Sequence, residues 1–371
     1  MLLTGATGFL GSRLCRSLLD RPIEKIYCLV RGRTPEGSQR RLHARLGLSS
    51  AERERIAVVH GDVRLPDFGL GAPAWNELAH VIDAVYHCAA SVNLAAGYDQ
   101  LAPSNVVGTE QVLRFVQTGP GKHLHHVSTV GIFIAAGPRP VTELHPPDWD
   151  TAGGIGYCQT KFAGEQAIAA AGVPVTVYRP GLVLGDRASG ECSSSDAVAR
   201  MVRATAILGV GAATTARVPI GSVDFTAESI AALSLRPDAP GQIYHPFENS
   251  QFPLRQMFDH LRQLGYSRDA VDVPTWHALM ADQPDSPAAF VMLAVWRVAR
   301  HVLAETPALH PPHFHAEHTA AAVADEGVPA GDLDLAYFQR MFTRLLPSGP
   351  AVANPTSPTV TQRAAPSEVL P

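Results

Sequence analysis

Cysteine is scarce in this chain. Its 371 residues hold five, an odd number scattered as Cys15, Cys28, Cys88, Cys158 and Cys192, with no paired spacing for a disulfide framework or a zinc ligand set. They are expected to be reduced packing residues of a cytoplasmic protein. A large excess of one charge is also lacking: the net charge of −4 leaves no electrostatic footprint for nucleic acid or an anionic membrane surface. No apolar run approaches the roughly 20 residues that span a bilayer, and the longest candidate, residues 288–303, is interrupted by Arg297 and Arg300. A charged lead followed by an apolar run is absent from the start, so a secretory leader is not expected. His310, His313, His315 and His318 are dense but irregularly spaced and broken by Pro311 and Pro312, so no metal site is expected. They read as a loop near a substrate mouth.

What is present begins at once. Thr4-Gly5-Ala6-Thr7-Gly8-Phe9-Leu10-Gly11 separates a short apolar segment from a stretch (Ser12, Leu14, Leu18, Leu19) of helical apolar spacing, the strand, tight turn and helix start of a dinucleotide fold. Gly5 serves the turn, Gly8 lets backbone approach a pyrophosphate at the helix N-terminus, and Gly11 lets helix and sheet lie close. Only three residues precede Thr4, against about five in an ordinary strand, so the first strand is expected to be cut short. A second strand, residues 23–30, ends in Arg31-Gly32-Arg33. The acid that would grip a free ribose hydroxyl is missing there. Guanidinium groups at that tip suit the 2′-phosphate of NADP, with Arg31 the first choice and Arg33 and Arg41 as helpers.

Strand-like and helix-like segments then alternate, with strands at 56–63, 81–90, 123–130 and 173–179 and helices at 104–116 and 157–170. That rhythm predicts an α/β fold, a Rossmann-type doubly wound parallel sheet. After Pro180 it loosens, and helices at 197–208, 254–264, 275–281, 288–303 and 333–345 predict a smaller, mostly helical C-terminal substrate-binding domain. The division expected is 1–180 for the NADP-binding domain, with about 215–245 returning to it, 181–214 and 246–346 for the substrate side, and a disordered tail at 347–371. The serines at 193–195 are a candidate lid.

A second constellation stands in Tyr157-Cys158-Gln159-Thr160-Lys161. A spacing of four puts phenol and ammonium on one helix face, where the cation can favour the ionised phenol and draw its pKa down from about 10. Lys161 can also hold ribose hydroxyls. Thr129, at the carboxyl end of the fifth strand, can donate to an oxyanion beside Tyr157. Alone, Tyr-x-x-x-Lys is a chance match; one step after Ser128-Thr129, in a chain that opens with the glycine turn, it is not. His123, His125 and His126 read as edge or core residues. Trp276, Trp296, Tyr337 and Phe338 read as core of the C-terminal part.

Together with Tyr178-Arg179-Pro180-Gly181, these motifs resemble the extended short-chain dehydrogenase/reductases, over the chain to about residue 346. Finer features, Cys28-Leu29-Val30-Arg31, Tyr86 to Asn93, Asn105-Val106-Val107-Gly108-Thr109 and Gly156-Tyr157, are similar to the thioester reductase domains that end nonribosomal peptide and polyketide assembly lines, and to carboxylic acid reductases. The resemblance implies NADPH-dependent reductive release of an acyl group from the phosphopantetheine arm of a carrier protein, or from coenzyme A, to an aldehyde or further to the alcohol. It implies that Thr129, Tyr157 and Lys161 are catalytic. Gly5, Thr7, Gly8, Phe9, Leu10, Gly11, Arg31, Arg41, Asp62, Val63, Ala89, Ala90, Lys161, Arg179 and Pro180 would line the cofactor, and Asn105 would support the sheet edge. Neither an adenylation domain nor a carrier attachment segment is evident, so the acyl carrier is expected in trans or in a part upstream. Two other classes stand beside this one: a reductase or epimerase of the same fold acting on a free carbonyl or a nucleotide sugar, and a non-catalytic NADP-binding regulator. The arginines at the second strand tip speak against the first, the intact Tyr157 and Lys161 against the second.

Overall fold

The structure is a computed structural model and describes residues 1–193, 197–282, 312–346 and 349. The expected helix at 288–303, the lid residues Ser194 and Ser195, His310, Trp296 and all of the expected tail except Gly349 lie outside the described residues.

Fourteen strands follow one another among the described residues: β1 (Leu2–Thr4), β2 (Ile26–Val30), β3 (Ile56–His60), β4 (Ala84–His87), β5 (His123–Val127), β6 (Pro140–Val141), β7 (Val175–Tyr178), β8 (Leu182–Leu184), β9 (Val210–Ala213), β10 (Arg217–Ser222), β11 (Ile243–Tyr244), β12 (Asn249–Pro253), β13 (Asp269–Asp272) and β14 (His313–Phe314). Seven form one sheet in the order β11-β7-β5-β4-β1-β2-β3, every pairing parallel. The doubly wound sheet expected from the alternation is therefore present. Short as it is, β1 is central: Leu3 sits between Cys28 of β2 and Tyr86 of β4, fully buried. Strand order reverses between β1 and β4, so the crevice beyond their carboxyl ends is where this architecture binds ligands.

The helices preceding residue 282 are α1 (Phe9–Leu19), α2 (Pro35–Leu46), α3 (Ser50–Glu54), α4 (Ala72–Val81), α5 (Tyr98–Ala102), α6 (Gly108–Gln117), α7 (Gly156–Ala170), α8 (Ala197–Leu208), α9 (Val223–Leu233), α10 (Leu254–Gln263) and α11 (Val273–Ala281). Leu14 and Leu18 of α1 and Ile230 of α9 bury on one face of the sheet with Cys28 and Tyr86. Trp75 of α4, Phe115 of α6 and Ile168 of α7 bury on the other with Val85 and Leu124. One expected helix is broken: over 104–116 the chain makes a π-helical turn, Pro103–Val107, before α6 begins. Such turns mark places where a helix yields to a local demand, and here the turn buries Asn105.

A second core joins α8, α10 and α11 to the helix Leu335–Leu345 and to small sheets β12-β10-β8 and β13-β9. The C-terminal helix is set by its stripe Tyr337, Phe338, Met341, Phe342 and Leu345, all buried. Each such side chain contributes roughly 1.5–3 kcal/mol, whereas the Asp334 cap that accepts from Tyr337 N–H at 2.8 Å is worth about 1. Packing therefore decides where this helix lies.

The division between the two cores differs from the one expected. α9 and β11 lie with the large sheet, whereas β10 pairs with β8 and β12 in the small one. The helix Glu317–Asp325, expected on the substrate side, sends Ala322 and Val323 into the cluster around α1 and α9. Two of the described histidines of that stretch are not in a mouth loop. His313 belongs to β14, which pairs with β6, and His318 stacks on Tyr244 at 5.3 Å.

Candidate active site

The turn after β1 builds the floor of the crevice. Gly5 has φ +81°, and a Cβ there would stand 2.7 Å from the backbone of Cys88 and Ala89; a Cβ on Gly11 would stand 2.2 Å from the Gly5 carbonyl. Only glycine allows the β1 exit, the β4 exit and the start of α1 to meet this closely. A cleft of about 490 Å³ opens beside them, lined by Thr4, Gly5, Thr7, Gly8, Leu29, Arg31, Arg41, Asp62, Val63, Arg64, Ala89 and Ala90 among others. A dinucleotide fits this cradle: bare backbone at a helix N-terminus for a pyrophosphate, and cationic side chains at the far end. Arg31 and Arg41 are both in the wall, linked where Arg41 Nη1 donates to the Arg31 carbonyl at 3.2 Å. Arg33 is not. Arg64, a residue that its place in the sequence does not single out, forks onto both Asp62 carboxylate oxygens at 2.7–3.1 Å. Burial works against the Asp62 charge, but the Arg64 guanidinium and backbone more than offset it and hold the carboxyl below its usual range.

At the other end a second cavity, of about 300 Å³, shares Gly5, Gly8, Cys88, Ala90 and Val92 with the first. Phe9, Leu10, Gly11, Ser128, Thr129, Tyr157 and Pro180 line it, with Leu94, Leu182, Val183 and Ala197 supplying an apolar wall and Arg200 from α8 a cation. Thr129 Oγ1 accepts from Gly131 N–H at 3.0 Å, which leaves its own proton free to donate. Tyr157 is carried in by the start of α7, where Gly156 lies so close to residues 96–98 that a Cβ would approach backbone at 2.5 Å. Asn105 ties the same helix to the β4 exit. Its Oδ1 accepts from Ser91 N–H at 2.7 Å, and its Nδ2 donates to Ser91 O at 3.1 Å and Thr160 Oγ1 at 3.0 Å.

Three expectations are corrected here. Lys161 is buried behind the cavity, not in its wall: Nζ donates to Val127 O at 2.7 Å and meets His126 Nε2 at 3.2 Å. The Tyr157 phenol is accordingly not drawn down; burial, with Cys158 and Cys88 adding, raises it. Tyr157 is thus a neutral proton donor at ordinary pH. Arg179 does not reach either cavity. Its guanidinium is folded inward onto Glu165, with Nε at 3.1 and 3.2 Å and Nη2 at 2.7 Å from the carboxylate oxygens, and lies over the Phe133 ring at 5.3 Å. A strand-end arginine looks like a ligand residue from sequence, but a buried carboxylate one helix away claims it.

Fold and site together define an NAD(P)-binding oxidoreductase of the extended short-chain dehydrogenase/reductase type. The family model described as male sterility protein matches residues 3–230, and the chain belongs to that family. It is similar to the terminal R domain of the myxalamid PKS-NRPS pathway, with 30% identity and a TM-score of 0.84 over 94% of this chain and 90% of that one. It also resembles the reductase domain of a nonribosomal peptide synthetase from Mycobacterium tuberculosis, with 27% identity and a TM-score of 0.74 over 93% and 91% of the two chains. Among whole proteins, 295 residues are 31% identical to a linear gramicidin synthase of Brevibacillus parabrevis, covering 76% of this chain. Over 299 residues the chain is 31% identical to the L-2-aminoadipate reductase of Penicillium chrysogenum, covering 74% of it. The chain spans only 6% and 21% of those two proteins. No helix among the described residues is long and apolar enough to cross a membrane.

Proposed function

We propose that this reductase uses NADPH to release an acyl group from a thioester on the phosphopantetheine arm of a carrier protein in the cytoplasm, giving an aldehyde. The observation that carries the reading is the placement of Thr129 and Tyr157 in one apolar-walled cavity that opens into the dinucleotide cleft. With its pyrophosphate at the glycine turn, the dinucleotide would supply hydride to the carbonyl carbon. Tyr157 Oη and Thr129 Oγ1 donate to the carbonyl oxygen as it gains negative charge, and the Tyr157 proton can pass to it outright. Expulsion of the thiol then leaves the aldehyde. Leu94, Leu182, Val183 and Ala197 give that end an apolar wall, beside which both donors act more strongly than they would in bulk water.

The carrier assignment predicts that a carrier-bound thioester has a higher kcat/KM than the same acyl group on truncated pantetheine, because contacts remote from the carbonyl position it. Steady-state kinetics on the pair decide the matter; equal values would remove the carrier and leave a reductase of free thioesters or carbonyls. The choice of NADPH rests on Arg31 and Arg41 in a cleft wall with no ribose-binding acid at the β2 tip. NADPH should bind more tightly than NADH, and Arg31→Ala should cut the preference by about 10-fold or more, since a charge-assisted hydrogen bond is worth roughly 1.5–3 kcal/mol. Titration of both nucleotides by fluorescence reads this directly. Equal affinities in the unaltered protein would overturn it.

A further inference from the structure

The Lys161 ammonium is buried, and its hydrogen-bond partners among the described residues are uncharged. Glu165, one turn further along α7, would be its natural counter-ion, yet both carboxylate oxygens are occupied by Arg179. What remains is the Val127 carbonyl at 2.7 Å and the His126 ring at 3.2 Å. His126 is an unusual residue to find there. It is fully buried on β5, where an aliphatic side chain would pack without polar cost. Its Nδ1 has no partner among the described residues. The neighbouring His87, 5.3 Å away ring to ring, has both nitrogens bonded, Nδ1 to Thr4 Oγ1 at 2.8 Å and Nε2 to Thr109 Oγ1 at 3.1 Å. A buried ring that leaves one nitrogen unpaired while the other meets a lysine is a place where satisfaction has been given up for an arrangement.

We propose that His126 is a positioning residue for Lys161: its Nε2 and the Val127 carbonyl hold the ammonium behind the cavity wall, one helical turn from Tyr157, until ribose hydroxyls of the dinucleotide take over. The proposal rests on the reading of Lys161 as a dinucleotide-binding residue. To accept from an ammonium, the ring must be neutral with its proton on Nδ1, the nitrogen without a partner. Its surroundings keep it neutral. Burial first, then Lys161 and His87, push His126 well below the usual histidine range. The other titratable groups around the pair are Cys88 at the β4 exit, raised by burial to about 12, and Tyr157 and Glu165 on α7; on β7 the residue paired with His126 is Val177, with Arg179 beyond it committed to Glu165. Burial lowers Lys161 itself to about 8, with Glu165 and Cys88 opposing. Its folded value is depressed, so the ammonium is present below that pH and lost as pH rises through it.

The test compares His126→Leu and His126→Val, which remove the acceptor, with His126→Gln, whose Oε1 restores one. NADPH binding without thioester is followed by fluorescence from pH 6 to 9.5. In the unaltered protein affinity should fall as pH rises through about 8. In the apolar variants that limb should move about one unit to lower pH, with about threefold to tenfold weaker binding at pH 8, while the Gln variant stays within about 0.3 unit of the parent. Ring nitrogen NMR of the protein without nucleotide, with His126 assigned by its loss in the variants, should report a neutral ring protonated at Nδ1. Folded apolar variants with the parental limb, a Gln variant displaced as far as the Leu one, or a ring protonated at Nε2 would each overturn the proposal. Should neither apolar variant fold, the Gln limb and the tautomer decide it. Failure of the parent to bind NADPH would instead count against the function proposed above, and the tautomer would still judge His126.

Discussion

Tyr157→Phe should leave NADPH affinity within about twofold of the parent and lower the rate of thioester reduction by about 10²- to 10³-fold, the usual cost of removing one oxyanion donor from a preorganised site. The ring stays, so its packing against the cluster of Ala152, Ile155 and Cys158 is kept and the cavity holds its shape. What goes is the phenolic proton. Thr129 remains as the single donor, and its Oγ1 is held by Gly131 N–H, so it cannot move to cover the missing position. Because burial raises the Tyr157 pKa, the phenol should act as a proton donor over the whole neutral range, with no alkaline limb of its own between pH 6 and 8. Single-turnover oxidation of NADPH, followed by absorbance beside a separate binding titration, measures both halves. A Phe variant that turns over at the parental rate would show that another group protonates the oxygen.

Much of this site could be read from the chain because its parts follow local rules. The Gly5 and Gly11 requirements are backbone requirements, written in sequence wherever a strand must turn sharply into a helix, and the β1 exit realises them. Tyr157 and Lys161 share a helix face by spacing alone. What escaped has a different origin. Whether a cation faces a ligand or a buried carboxylate is settled by tertiary packing, and so Arg179 reads as a cofactor residue in the sequence although Glu165 holds it. Arg64 lies two residues past Asp62, and only the fold of the β3 exit turns it back onto that carboxylate in the cleft wall. The π-helical turn at Pro103–Val107 was invisible because its apolar spacing passes for an ordinary helix; the paired demands of Ser91 and Thr160 on Asn105 are long-range. His126 did carry a signal. Two adjacent histidines in a central strand must point to opposite faces: His125 stacks on Tyr86 at 4.4 Å, and His126 turns to His87 and Lys161.

The buried Arg179–Glu165 pair should have the largest effect on stability. Arg179 and Glu165 are 2% and 7% exposed, so removing one partner strands a charge that water cannot reach. Arg179→Met, which keeps apolar contact with Phe133, should destabilise the protein by about 3–5 kcal/mol and lower its unfolding midpoint by on the order of 10 °C. Adding Glu165→Leu should recover most of that loss, because a buried pair replaced by apolar residues of similar size is often neutral or better. Thermal unfolding of the two variants side by side makes the comparison; a double variant no more stable than the single one would mean that the Arg179 contacts with Phe133 and the Glu143 carbonyl, not the ion pair, carry the effect. The double variant also separates stability from function. Glu165 supports the charge on Lys161 against burial, so its loss should lower the Lys161 pKa further below 8. A protein restored in stability should then bind NADPH with its alkaline limb shifted to lower pH. An unshifted limb would show that Glu165, already committed to Arg179, contributes nothing at Lys161.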